Sequence, residues 1–394
     1  MSSAPRPLVL HVIHHLVIGG MENGLVNLIN HMPPDRYAHA IACVEDFSSF
    51  RNRITRPGVE VFALHRSQIG VWGLRRALYR LCRKVKPTIV HTRNLSGLDA
   101  LLPAFLAGVP HRVHGEHGWD ISDLHGTQRR STWLRQLHSP LVDRYVAVSR
   151  HIESFLNTRV GVRPARIAQI HNGVDTRRFT PGTTRARLEL PPSFHREGVV
   201  IIGTVGRLQS VKDQATLIRA FAQLAVRNPA VAESARLLVI GDGPLKAELM
   251  QLAAALAVVD RVHFTGALDD VPSALASLDL FVLPSLNEGI SNTILEAMAT
   301  GLPVVASAVG GNVELVDAGV TGRLFAARDV DALASLLCEY VADPALRDAH
   351  GRCARQSALD RFSLESMVSR YAELYDTLDQ PQRAPASRRE LNGH

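Results

Sequence analysis

Cysteine is scarce in this 394-residue chain: Cys43, Cys82, Cys338 and Cys353 form no CxxC pair and no cluster. That spacing argues against a disulfide framework and a cysteine-bound zinc site, and a reducing compartment is the simplest reading. No run of about eighteen apolar residues occurs, so no membrane-spanning helix is expected. The opening MSSAPRPLVLHVIHH lacks the apolar core and cleavage site of a secretory signal, its apolar run breaking at His11 and His14. A cytoplasmic protein is therefore expected. There is no G-x4-G-K-[ST] phosphate loop, and GDGPLKAEL (241–249) fails the dinucleotide fingerprint because Lys246 stands where a third glycine belongs. His111, His114 and His117 recur every third residue, but on a strand that period does not keep them on one face, and the order His-Gly-Glu-His is not HExxH. No helix-turn-helix, zinc or aromatic stacking pattern favours nucleic acid as a partner.

What is present reads as a globular composition, with 46% hydrophobic and 21% charged residues. The length favours two domains. The net charge of +7 suits an anionic partner such as a phosphate or an acidic membrane surface. Short apolar strands alternate with helical segments from LVLHVIHH (8–15) to IAQIHNG (167–173), which predicts a parallel sheet with helices on both faces. A linker rich in proline, glycine and charge follows at 181–198, and the alternation restarts at VVIIGTVG (199–206). The expected architecture is α/β: two doubly wound, Rossmann-like domains, 1–180 and 199–362, facing each other across a cleft. A helix at 363–379 and a tail at 380–394 of disordered composition close the chain.

Several groups of residues carry candidate chemistry. Glu288 and Glu296 flank NEGISNTILE, the first in a loop after the strand LDLFVLPS and the second inside a helix with Ser291 as its cap. The free amides near Gly289, Ile290, Ser291 and Asn292 form an anion site, and the two carboxylates can accept from sugar and ribose hydroxyls. Read in isolation, the pair is better taken as a capping and a solvated glutamate; the flanking ILEAMATGLPVV argues against that here. In GTVGRLQSVKD, Gly203 opens a glycine-rich turn, and Arg207 and Lys212 offer two cations for a diphosphate; the alternative is a pair of surface charges. Gly19–Gly20 after the first strand permits close approach to a ligand, or simply makes a turn. His117, at a strand's carboxyl end, reads as a cleft residue or a packed histidine. Gly241 and Gly243 fit a turn lining a nucleotide pocket. The helix 71–86 is basic and amphipathic; its apolar side, including Val71 and Trp72, is expected to pack on the sheet, leaving a basic patch that could touch anionic lipid.

The run E-G-x-x-N-x-x-L-E-A-M-A-x-G-x-P-V-V, with G-R-L-x-x-x-K-D upstream, resembles the family 4 glycosyltransferases, retaining enzymes of the GT-B fold. The likeness extends from Gly19–Gly20 through HNGVD (171–175) to GVTGRLF (319–325). It implies a nucleotide-diphosphate sugar as donor, held by Arg207 and Lys212 at the diphosphate, Glu288 at the sugar and Glu296 at the ribose. Gly20 would approach the diphosphate or acceptor, His117 would stand near the reacting carbon, and Gly241, Gly243 and Leu268 would line the base. Front-face displacement without a metal is implied, and Asp269–Asp270 form no D-x-D triad to contradict it. The last helix would cross back to the first domain. The narrower likeness is to bacterial sugar transferases of exopolysaccharide and lipid-linked glycan assembly, so the acceptor would be a glycan or a polyprenyl-linked glycan, with peripheral contact at the inner membrane. No organic cofactor is implied. Competing readings are a nucleotide-sugar epimerase of the same architecture and an inactive scaffold.

Overall fold

The computed structural model describes residues 6–118, 127–182 and 189–379. The middle of the expected linker and the tail 380–394 lie outside the described residues. The first sheet has seven strands: β1 (Leu8–Ile13), β2 (Ala38–Cys43), β3 (Glu60–Ala63), β4 (Ile89–Arg93), β5 (His111–Glu116), β6 (Arg144–Ala147) and β7 (Ile167–Gln169). Its helices are α1 (Gly20–His31), α2 (Arg66–Val85), α3 (Asn94–Gly97), α4 (Leu101–Leu106), α5 (Arg129–His138) and α6 (Arg150–Phe155).

The second sheet has six strands: β8 (Val200–Val205), β9 (Ala235–Ile240), β10 (Val262–Gly266), β11 (Leu280–Leu283), β12 (Val304–Ser307) and β13 (Gly322–Phe325). Around and between them run α7 (Gln214–Arg227), α8 (Pro229–Ser234), α9 (Lys246–Ala255), α10 (Val271–Ala276), α11 (Asn292–Ala299) and α12 (Asn312–Leu315). Three helices end the described chain: α13 (Val330–Ala342), α14 (Pro344–Arg361) and α15 (Leu364–Asp379).

All pairings within both sheets are parallel. Strands of such sheets are covered on both faces, which is why they read as near-continuous apolar runs. The orders are β3-β2-β1-β4-β5-β6-β7 and β10-β9-β8-β11-β12-β13. Each order reverses once, between β1 and β4 and between β8 and β11. A crevice opens at such a reversal, outside the carboxyl ends of the strands, and ligands bind there. The elements not foreseen from sequence are mostly the short ones, namely β13, α3 to α6, α8, α10 and α12.

The chain crosses between the sheets twice, and the two crossings are tied together. Val174 N donates to Phe362 O at 2.8 Å and Leu364 N to Val174 O at 3.1 Å. Beyond the second crossing, α15 lies against the first sheet. Leu364, Met367, Val368, Tyr371 and Tyr375 are buried with Val9, Leu28, Ile89 and Val113. Tyr37 donates to Asp376 at 2.7 Å.

Helix α2 departs from expectation at its start. Gly70 adopts φ +67° and kinks it, and the buried face is Leu74, Leu78, Leu81 and Cys82. Val71 and Trp72 do not pack on the sheet: Trp72 is 81% exposed.

Under α1 and α15 lies a layer of buried histidines. His11 accepts from Arg93 through Nδ1 at 3.2 Å, so its proton is on Nε2, which donates to His39 Nδ1 at 3.0 Å. His91 Nδ1 pairs with the Tyr375 hydroxyl at 2.7 Å. Burial, helped by the Arg93 charge, holds all three below the usual histidine range, His39 at about 3. Unfolded histidines bind protons below about pH 6.5, and these folded ones do not. Stability is therefore complete above that pH and lost as pH falls from there toward the folded values. Each histidine contributes a loss of about 1.4 kcal/mol per pH unit in that window. Thermal melts between pH 7.5 and 5 should show a steep fall in melting temperature; a flat profile would show that the layer is protonated in the folded state.

Candidate active site

The loops that follow the four switch-point strands meet across the cleft. From the first sheet come Gly19–Gly20 after β1 and Asn94 after β4, joined by His117 after β5. From the second come residues 206–213 after β8 and 284–292 after β11. Lys212 Nζ donates to Glu288 Oε1 at 2.6 Å, and Ser285 Oγ donates to the same oxygen at 2.6 Å. Both members of the ion pair are mostly buried, with side-chain exposures of 20% and 10%. Their loops are joined by backbone as well: Leu286 N donates to Val211 O at 2.8 Å.

Helix α11 begins where Ser291 Oγ accepts from Ile294 N at 3.3 Å, as the sequence predicts. Gly289, Ile290 and Ser291 precede its first turn, whose amides lack partners inside the helix. Asn292 is the bridge to the other sheet. Its Nδ2 donates to Gly20 O at 3.0 Å, and its Oδ1 accepts from Asn172 Nδ2 at 2.7 Å. Closest of all is the approach of Gly289 to Gly118. A Cβ on Gly289 would fall 2.5 Å from Gly118 Cα and 2.7 Å from His117 O. The cleft is closed here, backbone on backbone.

His117 lies at this contact. Its backbone N donates to Asn94 Oδ1 at 2.8 Å, while both ring nitrogens are buried without a partner among the described residues. Burial, then the Arg93 charge, pushes the imidazole down to about 3. The ring is neutral at physiological pH, with one donor and one acceptor to offer. Just before it, Glu116 accepts from Arg135 Nε at 2.5 Å and pairs with His114 at 3.2 Å. Burial works against that carboxylate, but Arg135 and His114 outweigh it and bring it to about 2. His114 also bonds Thr92, at 2.7 Å. It is thereby a packed residue of the strand.

Other expected residues fall elsewhere. Arg207 is exposed, and its charge acts on Glu22 in the first turn of α1. Glu296 does not join Glu288. It lines a small cavity with Asn23, Asn27, Asp175 and Arg178, and burial raises its carboxyl to about 7 against the pull of Arg178 and Arg53. Gly203 is a correction: it lies inside β8, not at the cleft, and a Cβ there would sit 2.4 Å from the Leu278 side chain. It is a packing glycine. Gly241 and Gly243 let the β9 loop press on the β8 loop, with Leu208 N donating to Asp242 O at 2.9 Å. Leu268 is half-buried against the core. Among the described residues no group of three or more His, Cys, Asp or Glu could hold a metal ion, and no helix is long and apolar enough to cross a membrane.

Sequence reasoning missed Arg93, which is only 2% exposed at the end of β4 and beneath the cleft floor. The available signal was an arginine closing an apolar strand, IVHTR. Asn292 as an interdomain bridge carried no signal at all. The closed contact is testable by Gly289→Ala, which is expected to hold the domains apart. Small-angle scattering should show a larger radius of gyration at a near-unchanged melting temperature; an unchanged radius would mean that the backbones give way to the methyl group.

Residues 199–343 match the family described as Glycosyl transferases group 1, and residues 18–178 match Glycosyltransferase Family 4. The chain is 30% identical over 306 residues to the UDP-Gal:alpha-D-GlcNAc-diphosphoundecaprenol alpha-1,3-galactosyltransferase of Escherichia coli, covering 76% of this chain and 78% of that protein. It is 33% identical over 273 residues to the GDP-mannose-dependent alpha-(1-6)-phosphatidylinositol monomannoside mannosyltransferase of Mycolicibacterium smegmatis, covering 66% and 68%. The structure of Anabaena HepE with UDP and glucose shares the fold, with a TM-score of 0.80 at 22% identity over 94% of this chain and 100% of that one. The chain belongs to the family 4 glycosyltransferases, and its two facing sheets are their GT-B fold.

Proposed function

We propose that the enzyme moves a hexose from a UDP-sugar to a glycan acceptor carried on a polyprenyl diphosphate lipid, with retention of configuration and without a metal. The observation that carries this reading is the Lys212–Glu288 pair beside the Gly118–Gly289 contact. Lys212 is a point charge fixed at the carboxyl ends of the switch-point strands, and Arg207 brings a planar fork on the same loop. Together with the α11 amides they can neutralise a departing diphosphate, the task a metal performs in other transferases. Glu288, oriented by Lys212 and Ser285, can accept from sugar hydroxyls. Glu296 makes no side-chain hydrogen bond among the described residues, which leaves both oxygens for a ribose diol. His117, neutral and with no ring partner among the described residues, can hydrogen-bond the sugar at the reacting centre. In a front-face reaction the leaving phosphate oxygen takes the acceptor proton, so no side-chain nucleophile is needed. The E. coli relative's name supplies the donor and acceptor classes.

A lipid-linked acceptor also gives a role to the exposed side of α2. Trp72 and Tyr79 are exposed there, and so are Arg76, Arg80, Arg83, Lys84 and Lys86. No acidic residue occurs between Val61 and Leu98. Each such cation near an anionic surface is worth about 1 kcal/mol, and exposed aromatics suit the interface.

Two measurements test these assignments. UDP should raise the melting temperature with chelator present, and Lys212→Ala should lose that shift together with about a hundredfold in turnover. No shift from UDP while GDP gives one would reassign the base, and an inverted product would sink the front-face mechanism. In flotation assays the protein should rise with phosphatidylglycerol vesicles at low salt. Trp72→Ser with Arg76→Gln should weaken that association; equal flotation on neutral vesicles would remove the electrostatic part.

A further inference from the structure

Glu314 belongs to the second domain, yet most of its hydrogen bonds come from the first. One carboxylate oxygen accepts from the backbone N of Arg150 at 2.6 Å and of His151 at 3.4 Å, at the start of α6. The other accepts from Gln169 Nε2 at 3.0 Å and meets His171 Nε2 at 3.1 Å, just past β7. The side chain is only 11% exposed. Burial disfavours its charge, but the bonds from His171 and the two amides outweigh that, and the carboxyl lies below its usual value. The contact is therefore an ionised clamp between domains, away from the reacting groups.

The part held by this clamp is the donor loop. Glu314 stands on α12, and the turn before α12 lies on the backbone of Glu288 and Gly289. Gly311 N donates to Glu288 O at 3.1 Å. A Cβ on Gly310 would fall 1.8 Å from Glu288 O, and one on Gly311 2.4 Å from Gly289 O. Contacts with so little slack transmit displacement, because packed interiors do not compress. A continuous path thus runs from the amides of α6 and the end of β7, through Glu314 and α12, to Glu288 and its partner Lys212.

The geometry assigns to Glu314 the role of a positioning residue: it fixes the angle between the domains at which Glu288 and Lys212 stand beside His117. This rests on the function proposed above, and the test separates the two. Glu314→Ala should enlarge the radius of gyration in small-angle scattering, measured with saturating UDP. Its affinity for UDP should stay within about twofold, since Lys212 and Arg207 keep their places on the second domain. Its kcat for transfer should fall at least about tenfold, the loss expected when reacting groups are misplaced. Glu314→Gln retains an acceptor for the α6 amides and should recover part of both the radius and kcat. His171→Ala, which removes one arm and leaves the carboxylate, should move both readouts the same way by less. An unchanged radius in a folded Glu314→Ala overturns the proposal, as does UDP affinity falling in parallel with kcat. If the wild type transfers no sugar, the functional reading fails, while the scattering result still decides whether Glu314 sets the domain angle.

Discussion

Everything in this molecule depends on two sheets presenting the carboxyl ends of their strands to one another. Each sheet alone offers a crevice with a few loop residues. Facing each other they share the Gly118–Gly289 contact, the Asn172–Asn292–Gly20 relay and the Glu314 clamp. The ion pair of Lys212 and Glu288 acquires its setting from that arrangement. On an open surface it would be worth little; beside a closed backbone contact it is screened from water and held in one geometry.

The electrostatics of the two halves are complementary in kind. The second domain contributes long side chains made rigid: Lys212 and Glu288 are held by each other and by Ser285. The first contributes groups kept neutral or internally compensated. His117 is uncharged because it is buried, and Glu116 is matched by Arg135. Arg93, beneath them, has a neutral histidine as its hydrogen-bonding partner. The carboxylates at the cleft floor are matched, Glu288 by Lys212 and Glu116 by Arg135, while Glu22 lies within reach of the Arg93 and Arg207 charges.

The fold was largely legible because parallel strands covered on both faces leave an unmistakable apolar rhythm, and turns rich in glycine mark their ends. Of the polar residues that stood out in the sequence, Lys212 and Glu288 come together in the fold, whereas Arg207 is exposed and Glu296 lines a separate cavity, a distinction that spacing along the chain does not encode. Gly203 misled, since a glycine near the end of a strand looks the same in sequence whether it makes room for a ligand or for Leu278. Trp72 misled for another reason: it is apolar, but helical spacing sets it opposite Leu74, Leu78 and Leu81, on the exposed face with Arg76, Tyr79 and Arg83. Asn292 and Glu314 act across domains, and no local pattern encodes which residue will lie opposite. Short elements such as α4 and β13 are held by tertiary packing and leave little periodicity to read.

Helix α15 closes the first sheet with side chains from the far end of the chain. During synthesis β1, β4 and β5 leave the ribosome long before Met367, Tyr371 and Tyr375 do. Until those residues arrive, the histidine layer and the apolar surface around Val9 and Ile89 have no lid, so the first half of the protein cannot reach its final state ahead of the second. Domains that fold strictly in order of translation are indifferent to the residues still to be added. Here the last helix makes completion of the first sheet a property of the whole chain.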